Sequence, residues 1–157
     1  LLAVSGEEKL REWIMEKIEL SRCSMDYKRC LEYLVAALIL DRDSENESEK
    51  GRMMRSIIQY LDKYFSNAGL SVNVLTEEFS VSRSYLNRLF KAYVGKTYSE
   101  FLSDLRYWKM LQYLNQESPL RDREIGEKIG IPDAHYLSIW FRKMTGYSVT
   151  EYRKLKK

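Results

Sequence analysis

The chain repeats itself. Leu75 answers Ile125, Phe90 answers Phe141, Gly95 answers Gly146 and Phe101 answers Tyr152, at an offset of 50 residues for the first pair and 51 for the rest. The second copy therefore holds one extra residue, in its turn. After each glycine comes Thr97-x-x-Glu100 or Ser148-x-x-Glu151, a capping box in which hydroxyl and carboxylate satisfy each other's backbone amides at a helix start. Matched punctuation at one spacing constrains the fold strongly: two like units must be built twice from one plan.

Each unit reads as a short helix, a tight turn and a second helix. In the second copy Ile125–Ile129 leads to a turn at Gly130, Asp133 opens the next helix and Gly146 closes it. Asp is a preferred N-cap because its carboxylate accepts from free first-turn amides; Gly past a C-terminus takes positive φ without a Cβ clash. Two helices joined by a short turn form a helix-turn-helix. In the first copy Ser71 caps a short helix carrying Val72, Val74, Leu75 and Phe79, Ser80-Val81 is the turn, and Ser82 caps Arg83–Val94. Ser80 stands where Gly130 stands, so a positive φ there predicts modest backbone strain.

The spacing of Phe101, Leu102, Leu105, Trp108, Leu111 and Leu114 predicts one long helix from Thr97 to about Asn115, joining the units until Ser118-Pro119 stops it. Asp122 is expected to cap Arg123–Ile129, and a last short helix starts at Ser148 and ends in basic residues 153–157. Upstream, Met54, Ile57, Ile58, Leu61, Tyr64 and Phe65 form one stripe of a helix that Gly69 is expected to end. The fold class is all-α, with about seven helices across 51–157 and no strand pattern.

Residues 1–50 read differently. A helix from Ser5 or Gly6 to about Leu20 carries Leu10, Trp13, Ile14 and Ile18; a second, from about Met25 to Leu40, carries Leu31, Leu34, Val35, Leu38 and Ile39. The pair forms a helical hairpin that packs on the rest of the chain or on a neighbour, or serves as a dimerisation or signal-linking element. The polar stretch Asp41–Lys50 is the expected linker, so the domains are 1–50, hairpin and charged linker, and 51–157, the double unit. Cys23 and Cys30 are the only cysteines, seven apart on one helical face. With no second pair to complete a zinc site, they are expected to be reduced, partly buried thiols of a cytoplasmic protein. No apolar run approaches a membrane span, and no signal peptide is expected.

Charge is uneven: residues 1–50 carry 8 Lys/Arg against 12 Asp/Glu, and residues 51–157 carry 18 against 11. A basic second part suits a polyanionic partner. In a helix-turn-helix the second helix enters the major groove with its N-terminal side chains on base edges. Leu86, Leu89 and Phe90 must face inward, which leaves Arg83, Ser84, Asn87, Arg88 and Lys91 outward. Arg matches guanine O6/N7 and Asn matches adenine N6/N7 in two-point contacts. In the second unit Leu137, Phe141 and Tyr136 are expected inward, with Ala134, His135, Ser138, Ile139 and Arg142 outward. The blander readings are solvated arginines, a structural His135, Trp108 and Trp140 in the core, and a solvated tail at Lys154, Lys156 and Lys157.

These residues resemble the DNA-binding domain of the AraC/XylS family of bacterial transcription regulators. The resemblance spans Leu70–Lys154, through Ser82-x-x-Tyr85-Leu86-x-Arg88-x-Phe90-Lys91, Gly95, Phe101-Leu102, Arg106, Leu114, Ile125, Gly130, Asp133, Tyr136, Phe141-Arg142-Lys143, Gly146 and Tyr152-Arg153. It implies two reading helices in successive major grooves on one DNA face. It implies base contacts at Ser84, Asn87 and Arg88, with Arg83 beside them, and at His135, Ser138 and Ile139. Backbone contacts are implied near Lys91, Thr97, Arg142, Lys143 and Ser148. Thr76, Gly126 and Met110 stand where the family commonly has Ala, Ile131 and Leu137 replace aromatics, and Val149 replaces Pro. Ile139 stands where a polar or basic residue is frequent, so it either reads thymine methyls or leaves its unit to contribute backbone affinity.

The N-terminal hairpin is similar to the segment joining a receiver to this output domain in two-component regulators. The expected function is sequence-specific DNA binding in transcription regulation, without enzymatic activity, cofactor or metal. The expected partners are double-stranded DNA, RNA polymerase, and a second copy through the N-terminal helices or a domain upstream, with no membrane contact. The rival reading is a protein-interaction module that contacts RNA polymerase or a partner regulator.

Overall fold

The computed structural model describes residues 7–30, 48–116 and 120–155, and every regular element among them is a helix. They are α1 (Glu7–Leu20), α2 (24–30), α3 (Glu49–Tyr64), α4 (Val72–Glu78), α5 (Arg83–Val94), α6 (Tyr98–Leu114), α7 (Asp122–Ile129), α8 (Ala134–Thr145) and α9 (Val149–Lys154). Helices α4 and α5 form the first helix-turn-helix unit, α7 and α8 the second, and α6 joins them. The expected stripe at Leu31–Ile39, the residues 41–47 of the linker, Ser118-Pro119 and Lys156-Lys157 lie outside the described residues, as do the side chains of Leu10 and Trp13.

Local chemistry sets most boundaries. Ser71, Ser82, Thr97, Asp133 and Ser148 each accept from an amide three residues on, and Gly95 and Gly146 close α5 and α8 with φ of 71° and 85°. Three boundaries and one shared face differ from expectation. Helix α3 begins at Glu49, inside the expected linker, because Ser48 caps it by accepting from the Gly51 amide. It ends at Tyr64, not Gly69, because the carbonyls of Phe65 and Asn67 turn aside to accept from the Arg106 guanidinium at 2.9 Å each. Asp122 is the first residue of α7 and not its cap: Glu124 reaches back to the Arg121 amide, and Asp122 pairs with Arg153 at 3.0 Å. Cys23 precedes α2 and so shares no helical face with Cys30; both are free thiols, and burial pushes both above the ordinary thiol range.

One core runs through the molecule, and α6 is its axis. Phe101, Leu105, Tyr107, Trp108, Met110 and Leu111 are each 0–1 % exposed, so α6 is covered on most of its circumference. Its first turns meet Phe90 of α5, with Phe101 at a ring distance of 5.7 Å. Its later turns meet Phe141 and Trp140 of α8 through Tyr107, at 6.1 and 6.5 Å. Each fully buried side chain of this size contributes about 1.5–3 kcal/mol, so α6 welds both units more firmly than any surface ion pair could.

The N-terminal helices pack on this core as well. In α1, Leu20 and Lys17 are buried while Ile18, expected in the apolar stripe, is 41 % exposed. Lys17 lies over the Trp108 ring at 5.6 Å, and burial holds its pKa below the ordinary lysine value, with Glu16 opposing. Asp26 of α2 is fully buried. Its carboxyl oxygens accept from Tyr107, from Tyr152 at 2.6 Å, and from the amides of Arg22 and Cys23 at 2.8 and 3.1 Å. Burial first pushes both phenols well above their usual range; Tyr152 and Asp26 add to the rise at Tyr107, and Asp26 adds to it at Tyr152, where Tyr107 opposes. Both stay protonated and keep donating.

Candidate nucleic-acid interface

The turn of each unit sets how its second helix is presented. In the first, Val81 donates to the Thr76 carbonyl at 3.1 Å; in the second, Ile131 donates to the Gly126 carbonyl at 2.8 Å. The same bond closes both turns. Ser80 takes φ 51° and Gly130 φ 78°, so the strain expected of Ser80 is present. Gly130 also sits against the end of α3, where a Cβ would meet the carbonyl oxygens of Phe65 and Ser66 at 2.8 and 2.9 Å. Arg106 binds that same α3 terminus, and so the second unit's turn is seated on α3, the helix that also packs on α5.

Along α5, Leu86, Leu89 and Phe90 point inward, while Arg83, Ser84, Asn87, Arg88 and Lys91 are exposed. The Arg83 guanidinium donates to Asn73 of α4 at 2.8 Å, which holds it across the mouth of the unit. Lys91 lies 3.5 Å from the Gly95 carbonyl. Along α8, Leu137 and Phe141 point inward, while Ala134, His135, Ser138, Ile139, Arg142 and Lys143 are exposed.

Tyr136 does not face inward as expected; it is 56 % exposed. It lies one helical turn before Trp140, at the edge of the buried arc. There Trp140 tucks in by donating to Ser103 at 2.7 Å, and Tyr136 is left at the mouth of a cleft of about 370 Å³ between the units. Ile139 is 55 % exposed, so α8 shows an apolar patch where α5 shows amide and guanidinium groups.

Thr97 and Ser148 start helices on this surface, but their own donors are taken. The Thr97 amide and hydroxyl both donate to Glu100, at 2.7 and 2.8 Å, and those of Ser148 both donate to Glu151 at 2.7 Å. These bonds hold both carboxyl groups below the usual range. The next amides, at Tyr98 and Ser99 and at Val149 and Thr150, are the ones a capping box leaves open. Sequence reasoning placed Tyr136 on the wrong side, gave Arg106 no contact of its own and did not name these amides; the duplication itself could have pointed to the amides, since it puts the same box after both reading helices.

The described residues hold no group of three or more His, Cys, Asp or Glu side chains that could bind a metal, and no helix among them is long and apolar enough to cross a membrane.

Residues 75–155 match a family described as a helix-turn-helix domain. The Msm operon regulatory protein of Streptococcus mutans is 27 % identical over 124 residues, which cover 77 % of this chain and 44 % of that protein. The transcriptional activator RhaR of Salmonella arizonae is 31 % identical over 85 residues, covering 54 % and 30 %. The chain thus spans less than half the length of these relatives. Among solved structures, the C-terminal domain of AraT, a response regulator from Geobacillus stearothermophilus, superposes with a TM-score of 0.64 at 31 % identity, covering 69 % of this chain and 89 % of that one. The C-terminal domain of the two-component response regulator yesN from Fusobacterium nucleatum gives a TM-score of 0.60 at 25 % identity, covering 64 % and 98 %.

Proposed function

This chain belongs to the AraC-type helix-turn-helix family and is a sequence-specific DNA-binding part of a transcription regulator; on that premise we propose how it binds. Helices α5 and α8 enter successive major grooves on one side of the duplex, about 34 Å apart. Arg83, Ser84, Asn87 and Arg88 read bases from α5, and His135, Ser138 and Ile139 from α8. Lys91, Arg142 and Lys143 hold phosphates, joined by the open amides that follow Thr97 and Ser148. The observation that carries this reading is the shared seat: Arg106 and Gly130 tie the second unit's turn to α3, so one rigid body presents both helices.

The chain works without catalysis or cofactor, in the cytoplasm, as the output end of a longer regulator. A receiver upstream fits the likeness to response-regulator C-terminal domains, and RNA polymerase and a second copy are its further partners. A second reading, a protein-docking module, draws support from exposed Tyr136 and Ile139 on α8.

Binding of the full chain to a random-sequence duplex tests the first reading. Log K should fall with log salt by about 0.9 per phosphate contact. Arg88→Ala should cost about 1–3 kcal/mol and relax preference at one base position. Salt-insensitive binding, or none to any duplex, overturns it in favour of the docking module.

A further inference from the structure

Beside α8 lies a groove of about 720 Å³ whose near edge belongs to the second unit and whose far wall is α2. Met25, Lys28 and Arg29 form that wall, the first turns of α6 form the floor, and Tyr136, Ile139 and Lys143 form the near edge. Those three positions of α8 succeed one another at helical spacing, so one flank of the reading helix looks into the groove. A helix lying in a major groove about 12 Å wide has a phosphate backbone along each flank. The strand on this flank would therefore run over the groove's mouth.

The lining is built for an anion. Four cationic side chains, Lys28, Arg29, Lys96 and Lys143, line it against the carboxylates of Glu100 and Asp104. Asp104 is shared by Arg29 at 3.3 Å and Lys96 at 2.5 Å, so one carboxylate faces two cations. The Glu100 carboxylate is turned into its own capping box. Lys28 and Lys143 are exposed and meet no carboxylate within ion-pair distance among the described residues. Nor is α2 loosely placed: Asp26, two residues before Lys28, is buried among four donors, and Arg29 lies over the Tyr107 ring at 5.4 Å.

We propose that this groove is a second phosphate seat, in which Lys28 of the N-terminal segment and Lys143 of α8 grip one strand, so that α2 is part of the DNA interface. The inference rests on the DNA-binding reading above and deepens it. Lys28 makes the contact; Asp26 acts only as a positioning residue, holding α2 at the right height.

The test uses the full chain and a random-sequence duplex of roughly 30 base pairs, about three turns, with anisotropy titrations across a salt series. Lys28→Ala should weaken binding about threefold to tenfold near 0.1 M salt and lower the salt slope by about 0.9, the signature of one lost phosphate contact. Lys28→Glu should weaken it further, Lys28→Arg should restore the slope, and Lys63→Ala, on α3 outside the groove, should leave both quantities alone. Unchanged affinity and slope in both Lys28→Ala and Lys28→Glu, while Arg88→Ala still loses base preference, overturns the second seat and leaves the first reading intact. The same null result with a loss of binding to an acidic protein partner also overturns it, because the groove then serves a different ligand. Failure of the unmodified chain to bind any duplex overturns the first reading itself.

Discussion

The two helix-turn-helix units share a plan and diverge in how they carry it out. The first is polar at its reading surface and braced from within: Arg83, Asn87 and Arg88 project from α5, and Asn73 of the same unit holds Arg83. The second shows Ala134, Tyr136 and Ile139 among its exposed positions and is buttressed from outside by α2, through Arg29 on Met144, and by the residues that follow α3. Planar two-point donors discriminate bases at about 1–3 kcal/mol each, whereas an isoleucine offers only methyl contact. On the proposed binding mode, the first unit carries the stronger base discrimination, and the second adds weaker base contacts, position and phosphate affinity.

The external buttress is the sharpest difference. Asp26→Ala should be the most damaging single change, about 3–5 kcal/mol, because it strands two buried phenols and two amides at once. Urea unfolding measures it; a cost under about 1 kcal/mol would mean the second unit stands without its N-terminal support.

The turns come next. Gly130→Ala must hold a Cβ at φ 78° and within 2.9 Å of two carbonyl oxygens, which should cost about 3 kcal/mol by strain and crowding together. Ser80→Gly, at the matching place, relieves a φ of 51° but loosens the unfolded chain, so the two effects of about 1 kcal/mol largely cancel. Equal sensitivity at the two sites would erase the contrast between a braced turn and a free one.

In binding, Arg88→Ala should exceed Ile139→Ala: about 1–3 kcal/mol with relaxed base preference, against under about 1 kcal/mol with preference kept. A selection from random duplexes reads both, and a reversed order would move specificity to α8.

The smallest effect is one the copies should share. Glu100 and Glu151 are held below the ordinary carboxyl value by their bonds to Thr97 and Ser148. A lowered folded-state value adds stability that is full above about pH 4.3, the unfolded value, and is lost as pH falls through the folded one. Urea midpoints should thus drop through that window, less steeply in Glu100→Gln and in Glu151→Gln. A response to one substitution alone would show that only one box holds.

What could be read from the chain beforehand was what is local. Caps at Ser71, Ser82, Thr97, Asp133 and Ser148 act within three residues, and the inward positions of α5 follow from helical period. The long-range parts were not legible. Asp26 sits in a stretch of ordinary surface character, and nothing near it announces a partner 126 residues away. Tyr136 misled because apolar spacing marks an arc, not its edge, and the cleft beside α6 exists only after packing. Ile18 and Lys17 exchange expected places for the same reason: the Trp108 ring decides which is covered.

The continuity of α6 has a consequence for any operator. A bridge of one buried helix gives the two heads a constant torsional phase, with no hinge to adjust it. Adding a single base pair between half-sites swings the far one by roughly 35° around the duplex. With both heads docked as proposed, the protein cannot follow without breaking its own core, and the register of its target is then fixed to the base pair.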